Sequence, residues 1–176
     1  MSMRILITAG GTTESIDAVR TLQATDVDGS SVEELQRLTA FEISNISKGG
    51  FAVEIARALY ARAGDAEITI IGRADLISEL RKSDLAATLQ LVPFRSFADL
   101  DGAIREQLAC GPVDAFLMAA AVSDYSPVAV EGKISSDQED LVIRLKRNPK
   151  LLGSIRSQIG SQGVLIGLKL LASVSH

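Results

Sequence analysis

Short β-branched and leucine-rich runs of strand length recur along this chain. Each is stopped by glycine, proline or small residues before a stretch whose apolar positions repeat at helical spacing. Met3–Thr8 (MRILIT), Glu67–Ile71 (EITII), Thr88–Val92 (TLQLV, closed by Pro93), Val113–Met118 and Val164–Ile166 are such runs. Leu141–Leu145 (LVIRL) alternates enough for a further strand. The helical stretches are Glu14–Leu22, Phe51–Ala63, Asp75–Lys82, a segment capped by Ser96 that runs through Leu108 to the stop at Gly111-Pro112, and one begun by Asn148-Pro149. Pro149 suits a first helical turn. Ser31-Val32-Glu33-Glu34 has capping-box spacing and predicts a short helix through Leu38. Strands that alternate with helices across short connections bury both faces of one sheet. The fold expected is therefore α/β and Rossmann-like: a doubly wound, mainly parallel sheet with helices on both faces.

Composition agrees and excludes several function classes. Hydrophobic residues make up 47% and aromatics 4%, with no tryptophan, so the core is built from Ala, Leu, Ile and Val. A net charge of −4 without basic runs argues against nucleic-acid binding. Cys110 is the single cysteine, which rules out an internal disulfide and any multi-thiolate metal site. The one histidine is the last residue, His176, so Cys110 has no base partner and reads as a half-buried helix-end residue. No apolar run is long enough to span a bilayer and no leader pattern is visible, so a cytoplasmic enzyme or binding domain is expected.

Chemistry-bearing residues gather where strands end. Gly10-Gly11 directly after the first strand allow a tight turn and close backbone approach, and Thr12 or Thr13 would cap a following helix. This pattern also fits a plain turn, since GxGxxG spacing is absent. Asn45-Ile46-Ser47-Lys48-Gly49-Gly50 is a second glycine-rich helix start, with Asn45 or Ser47 as a simple cap or, together with Lys48, as donors to an anion. Met118–Ser136 passes from a strand end through Ala119, Ala120 and Ala121 to Asp124, Pro127 and a lone Lys133. Taken alone it is better read as a polar loop. Three such features at one sheet edge, beyond the carboxyl ends of the strands, favour a phosphate-bearing ligand.

TAGGTTESIDAVR (Thr8–Arg20), NISKGG (Asn45–Gly50), AAAVSDYSP (Ala119–Pro127), GKISS (Gly132–Ser136), LKRNPKLL (Leu145–Leu152) and IGLKLL (Ile166–Leu171) occur in this order. Together they resemble phosphopantothenate–cysteine ligase, also called phosphopantothenoylcysteine synthetase. The likeness is greatest to the stand-alone bacterial form, here with no flavin-binding decarboxylase domain ahead of it and shortened at the C-terminus. The resemblance implies a step of coenzyme A biosynthesis. The carboxylate of 4′-phosphopantothenate is activated by CTP as an acyl-cytidylate, and cysteine's amine then forms the amide. It further implies Mg²⁺ with CTP, no flavin, no membrane or nucleic-acid partner, and a homodimer.

Carried over by motif position, the resemblance makes Lys133 the residue that holds the triphosphate and Asn45 the amide that positions the acyl-nucleotide. Ala120, Ala121 and Leu168 lie against the nucleotide. Gly10, Gly11, Thr12, Ser47 and Gly49 line the phosphate path. Asp124 lies near the metal or the nucleotide. Three departures stand out: an inserted loop and helix at about residues 21–44 between Arg20 and Asn45, Ala52 where the family commonly has glycine, and Leu168 where a phenylalanine usually follows the glycine. The family also continues beyond the position of His176 with segments that contribute to the acyl-substrate site. A nucleotide-binding homologue without ligase activity is the alternative reading. A generic NAD(P) or flavin Rossmann domain is the weakest one, because the dinucleotide glycine spacing is missing.

Overall fold

The computed structural model describes residues 2–16, 21–23, 47–128, 130, 134 and 142–168. Five parallel strands form the central sheet: β1 (Arg4–Ala9), β4 (Glu67–Arg73), β5 (Leu89–Phe94), β6 (Ala115–Met118) and β9 (Val164–Gly167), in the spatial order β5-β4-β1-β6-β9. β2 (Thr13–Ser15) pairs antiparallel with β3 (Thr21–Gln23), and β7 (Tyr125–Pro127) with β8 (Leu145–Arg147). The helices are α1 (Gly50–Arg62), α2 (Ala74–Leu80), α3 (Phe97–Ala109) and α4 (Leu151–Ile159), with a 3₁₀ turn at Asp84–Ala87. The expected doubly wound, mainly parallel α/β sheet is what forms.

Strand alternation divides the core into two layers. Ile5, Ile7 and Ala9 of β1 face α1 and α2, packing with Ala52, Ala56, Ile77 and Leu80. Leu6 faces the other way, toward Leu100, Ile104 and Ile155 of α3 and α4. Each of these large buried side chains contributes roughly 1.5–3 kcal/mol. Small Ala52 and Ala56 are the buried residues of α1, so this helix lies close on the sheet. The methyl of Ala52, at a position where glycine is common in the resembling family, is taken up within the core.

Several local expectations are corrected. Glu14–Leu22 does not begin as a helix: Thr13–Ser15 is extended and Thr21–Gln23 returns beside it. The cause is tertiary, since the Glu14 carboxylate is drawn inward to accept the Phe97 N–H at 2.6 Å. Thr12 and Thr13 therefore cap no helix there. Pro93 does not close β5 but lies inside it, which is tolerated because β5 is an edge strand. The strand expected at Leu141–Leu145 lies at Leu145–Arg147. α4 starts at Leu151 with Lys150 as N-cap, leaving Pro149 ahead of the helix rather than in its first turn. Ser47 is not the N-cap of α1; Gly49 takes that position with φ 78° and no side-chain cap. Cys110 caps the C-terminus of α3 and is exposed rather than half-buried. Ser96 does cap α3, in a reciprocal capping box with Asp99. The short helix expected from Ser31 to Leu38 lies outside the described residues.

Candidate functional site

After β1 the chain builds β4 and β5 on one side, and β6 and β9 then form on the other. The carboxyl ends of β1 and β6 are thus the point where strand order reverses, the usual ligand position in such sheets. Two loops leave this point and are tied together. The Ala121 N–H donates to the Gly10 carbonyl at 2.9 Å, the Thr12 N–H donates to the Ala121 carbonyl at 3.0 Å, and Gly11 bridges Ala121 in parallel.

Side chains complete the staple. Thr8, 0% exposed, accepts the N–H groups of both Ala119 and Ala120 at 3.1 Å. Thr12, also 0% exposed, accepts the Ser123 N–H at 3.2 Å. Thr12 was expected to line the phosphate path; its hydroxyl is committed to holding the alanine loop. Thr8 carries no role in the sequence reading, and its signal was a hydroxyl in an otherwise apolar strand.

The second glycine turn arrives at the same place. Gly49 is buried against Gly10: a side-chain carbon there would lie 3.1 Å from the Gly10 amide nitrogen and 3.3 Å from the Ala9 Cβ. Gly10 itself has φ 89°, and a side-chain carbon on it would lie 2.8 Å from the Arg73 Cβ. The structure thus brings together Gly10, Gly11, Thr12, Gly49, Ala120 and Ala121, with Ser47 half-buried just ahead of Gly49. Leu168 joins them through its N–H, which donates to the Met118 carbonyl at 3.1 Å; its side chain is 50% exposed. Asn45 and Lys133 lie outside the described residues, as do Arg20, Ser135 and Ser136.

Asp124 stands on the outer part of the alanine loop, and its carboxylate is ion-paired with Lys150 of the LKRNPKLL segment. Asn148 of that segment pins the loop: its N–H donates to the Asp124 carbonyl at 2.8 Å, and its side-chain amide to the Ser123 carbonyl at 2.9 Å. Asn148 is a second residue whose role only the structure assigns. Among the described residues no three His, Cys, Asp or Glu side chains cluster as a metal site. One exposed carboxylate suits Mg²⁺ that is held chiefly by nucleotide phosphates and water, and does not suit a cage made of protein groups. No helix among the described residues is long and apolar enough to cross a membrane.

Known proteins resemble this chain in sequence and fold. Residues 28–173 match the family described as DFP, the DNA/pantothenate metabolism flavoprotein C-terminal domain. The coenzyme A biosynthesis bifunctional protein CoaBC of Methanocaldococcus jannaschii is 31% identical over 167 residues, covering 94% of this chain; the chain spans 33% of that protein's length. Among solved structures, the DNA/pantothenate metabolism flavoprotein from Streptococcus pneumoniae superposes with a TM-score of 0.70 at 25% identity, over 99% of this chain and 70% of that one. The C-terminal domain of a CoaBC bifunctional protein gives a TM-score of 0.60 at 25% identity, over 93% of this chain and 62% of that one. The chain belongs to the family of the DNA/pantothenate metabolism flavoprotein C-terminal domain.

Proposed function

We propose that this chain is a phosphopantothenate–cysteine ligase of coenzyme A biosynthesis, working in the cytoplasm as a single ligase-type domain and as a homodimer. The observation that carries the reading is the backbone contact of two glycine turns, at Gly10 and Gly49, beside the Ala119–Ala121 loop at the strand-order reversal. The 31% identity to CoaBC supports the substrate class.

In this reading CTP lies against Ala120, Ala121 and Leu168, with its phosphates along Gly10, Gly11 and the Ser47–Gly49 turn. The glycines leave no side chain between backbone and phosphate, and backbone N–H groups offer donors without reorganisation. Thr12 acts by fixing the alanine loop. Lys133 balances charge as an oxygen of the 4′-phosphopantothenate carboxylate bonds to the α-phosphorus and pyrophosphate leaves. Asn45 orients the acyl-cytidylate while cysteine's amine attacks the acyl carbon and CMP leaves. Mg²⁺, when bound with CTP, would supply charge neutralisation at the phosphates, with Asp124, released from its ion pair with Lys150, as the carboxylate to hold it.

The test is pyrophosphate release from CTP by the purified chain, measured with both 4′-phosphopantothenate and cysteine present. Release that requires the acyl substrate and drops at least a hundredfold in Lys133→Ala supports the ligase. CTP binding without release in the folded protein overturns it. That second outcome is the signature of a nucleotide-binding homologue without ligase activity, a reading favoured by the half-exposed Leu168 at a position where the family usually presents an aromatic ring.

A further inference from the structure

We propose that the cavity between the carboxyl ends of β4 and β5 and the start of α3 is a subsite for a phosphate group. This cavity, about 630 Å³, is lined by Arg73 from the end of β4, Arg95 from just after β5, and Thr13 and Ser15 from β2. The two arginines come from neighbouring strands, Arg73 being paired in register with Phe94. The Thr13 N–H donates to the Arg95 carbonyl at 2.6 Å, which ties β2 to the far wall of the cavity.

Hydrogen-bond accounting identifies the ligand's chemistry. Two carboxylates, Asp75 and Asp99, also line the cavity, and both are already engaged. Asp75 accepts from Arg73 Nε at 2.6 Å and from the Leu76 N–H at 2.9 Å. Asp99 accepts from the Ser96 N–H at 2.9 Å and from the Arg95 N–H at 3.3 Å. What remains unspent is donors. Arg73 Nη1 is fully buried and has no hydrogen-bond partner among the described residues. Among the described residues the Arg95 guanidinium and the hydroxyls of Thr13 and Ser15 also make no hydrogen bond.

A buried guanidinium nitrogen without an acceptor is costly, and since solvent does not reach Arg73 Nη1, a small rotation of that side chain toward the cavity is what brings it onto the acceptor oxygens of a ligand. Donors converge from three separate chain segments. A tetrahedral group with three free oxygens answers them better than a planar carboxylate, whose two oxygens one arginine would satisfy. The cavity abuts the Gly10 turn, since a side-chain carbon on Gly10 would lie 2.8 Å from the Arg73 Cβ. The phosphate can arrive as the free ion or as a phosphomonoester on a bound substrate.

Calorimetric titration of inorganic phosphate and of 4′-phosphopantothenate into the full chain tests this, with Arg95→Ala as the main variant. The Arg95 side chain is exposed and its structural bonds run through the backbone, so the variant folds. Phosphate affinity is expected to fall at least tenfold in Arg95→Ala and to be unchanged in Arg62→Ala, on the far end of α1. A parallel loss for 4′-phosphopantothenate but not for pantothenate identifies the substrate's ester as the source; loss for inorganic phosphate alone identifies the free ion. Absence of phosphate binding in the native chain, unchanged affinity in Arg95→Ala, or an equal loss in Arg62→Ala overturns the subsite. The titration needs no turnover, so it stands or falls separately from the ligase reading.

Discussion

Gly49 rests its backbone on Gly10, leaving so little room that a side-chain carbon at Gly49 would stand 2.5 Å from Leu76 Cδ2 and 3.1 Å from the Gly10 nitrogen. Gly49 also has φ 78°, which costs a residue with a side chain about 1–2 kcal/mol. Gly49→Ala is therefore expected to lower the melting temperature by roughly 2–8 °C, at about 2–4 °C per kcal/mol for a chain of this size, and to weaken CTP binding. The neighbouring Gly50→Ala is the control: nothing lies within 4 Å of the added carbon, and the helix gains about 0.4–1 kcal/mol. Equal effects from both substitutions would contradict the close approach of the two turns.

Thr8 holds two amides of the alanine loop with one hydroxyl. Thr8→Val keeps the shape and removes the acceptor, at an expected cost of about 1–3 kcal/mol. Urea unfolding measures it. Thr8→Ser, which keeps the oxygen, should lose less, and a valine variant as stable as the native chain would remove the staple's importance.

Glu14 reaches from β2 to the first N–H of α3, and only 7% of it is exposed. Glu14→Ala should destabilise by about 1–2 kcal/mol as α3 loses a capping acceptor. Glu14→Gln retains an amide oxygen and should recover part of this. Thermal unfolding of the pair distinguishes a cap from simple packing, which would treat both variants alike.

Acid should weaken the wall of the arginine cavity. The Arg73 side chain, by hydrogen bonding, holds the Asp75 carboxyl below the usual carboxylate range. The Ser96 N–H does the same for Asp99. Folded values below the unfolded one, about 3.9, mean that their contribution is present above that pH and is lost as pH falls through the lowered values. Urea midpoints taken from pH 6 to pH 3 should therefore decline at the acid end, less steeply in Asp75→Asn. An identical decline in native and Asp75→Asn chains would assign the acid sensitivity to other groups.

Much of the fold was legible in the chain because buried parallel strands have a one-line signature. Ile5, Leu6 and Ile7 are apolar without alternation because both faces of β1 are covered. Ser96 announced α3 as its cap, and the structure adds the reciprocal bond from Asp99. At the site, Gly10, Gly49 and the alanine run were visible as glycine and small-residue clusters at strand ends. What failed was local reading where a distant partner decides. Thr13–Ser15 looks like a helix start until the N-terminus of α3 draws Glu14 into an extended chain.

The sequence by itself determined the strand–helix alternation, the apolar strands and the glycine positions, because each rests on the periodicity or backbone freedom of neighbouring residues, whereas Phe94, Phe97 and Phe116 enter a core that composition alone assigned to aliphatic residues. Only the tertiary structure decided that Gly49 meets Gly10, that Thr8 and Thr12 spend their hydroxyls on the alanine loop, and that Arg73 keeps a buried nitrogen without a partner among the described residues. Those are contacts between residues tens of positions apart. They are set by which strands become neighbours in the sheet, and no local pattern encodes that choice.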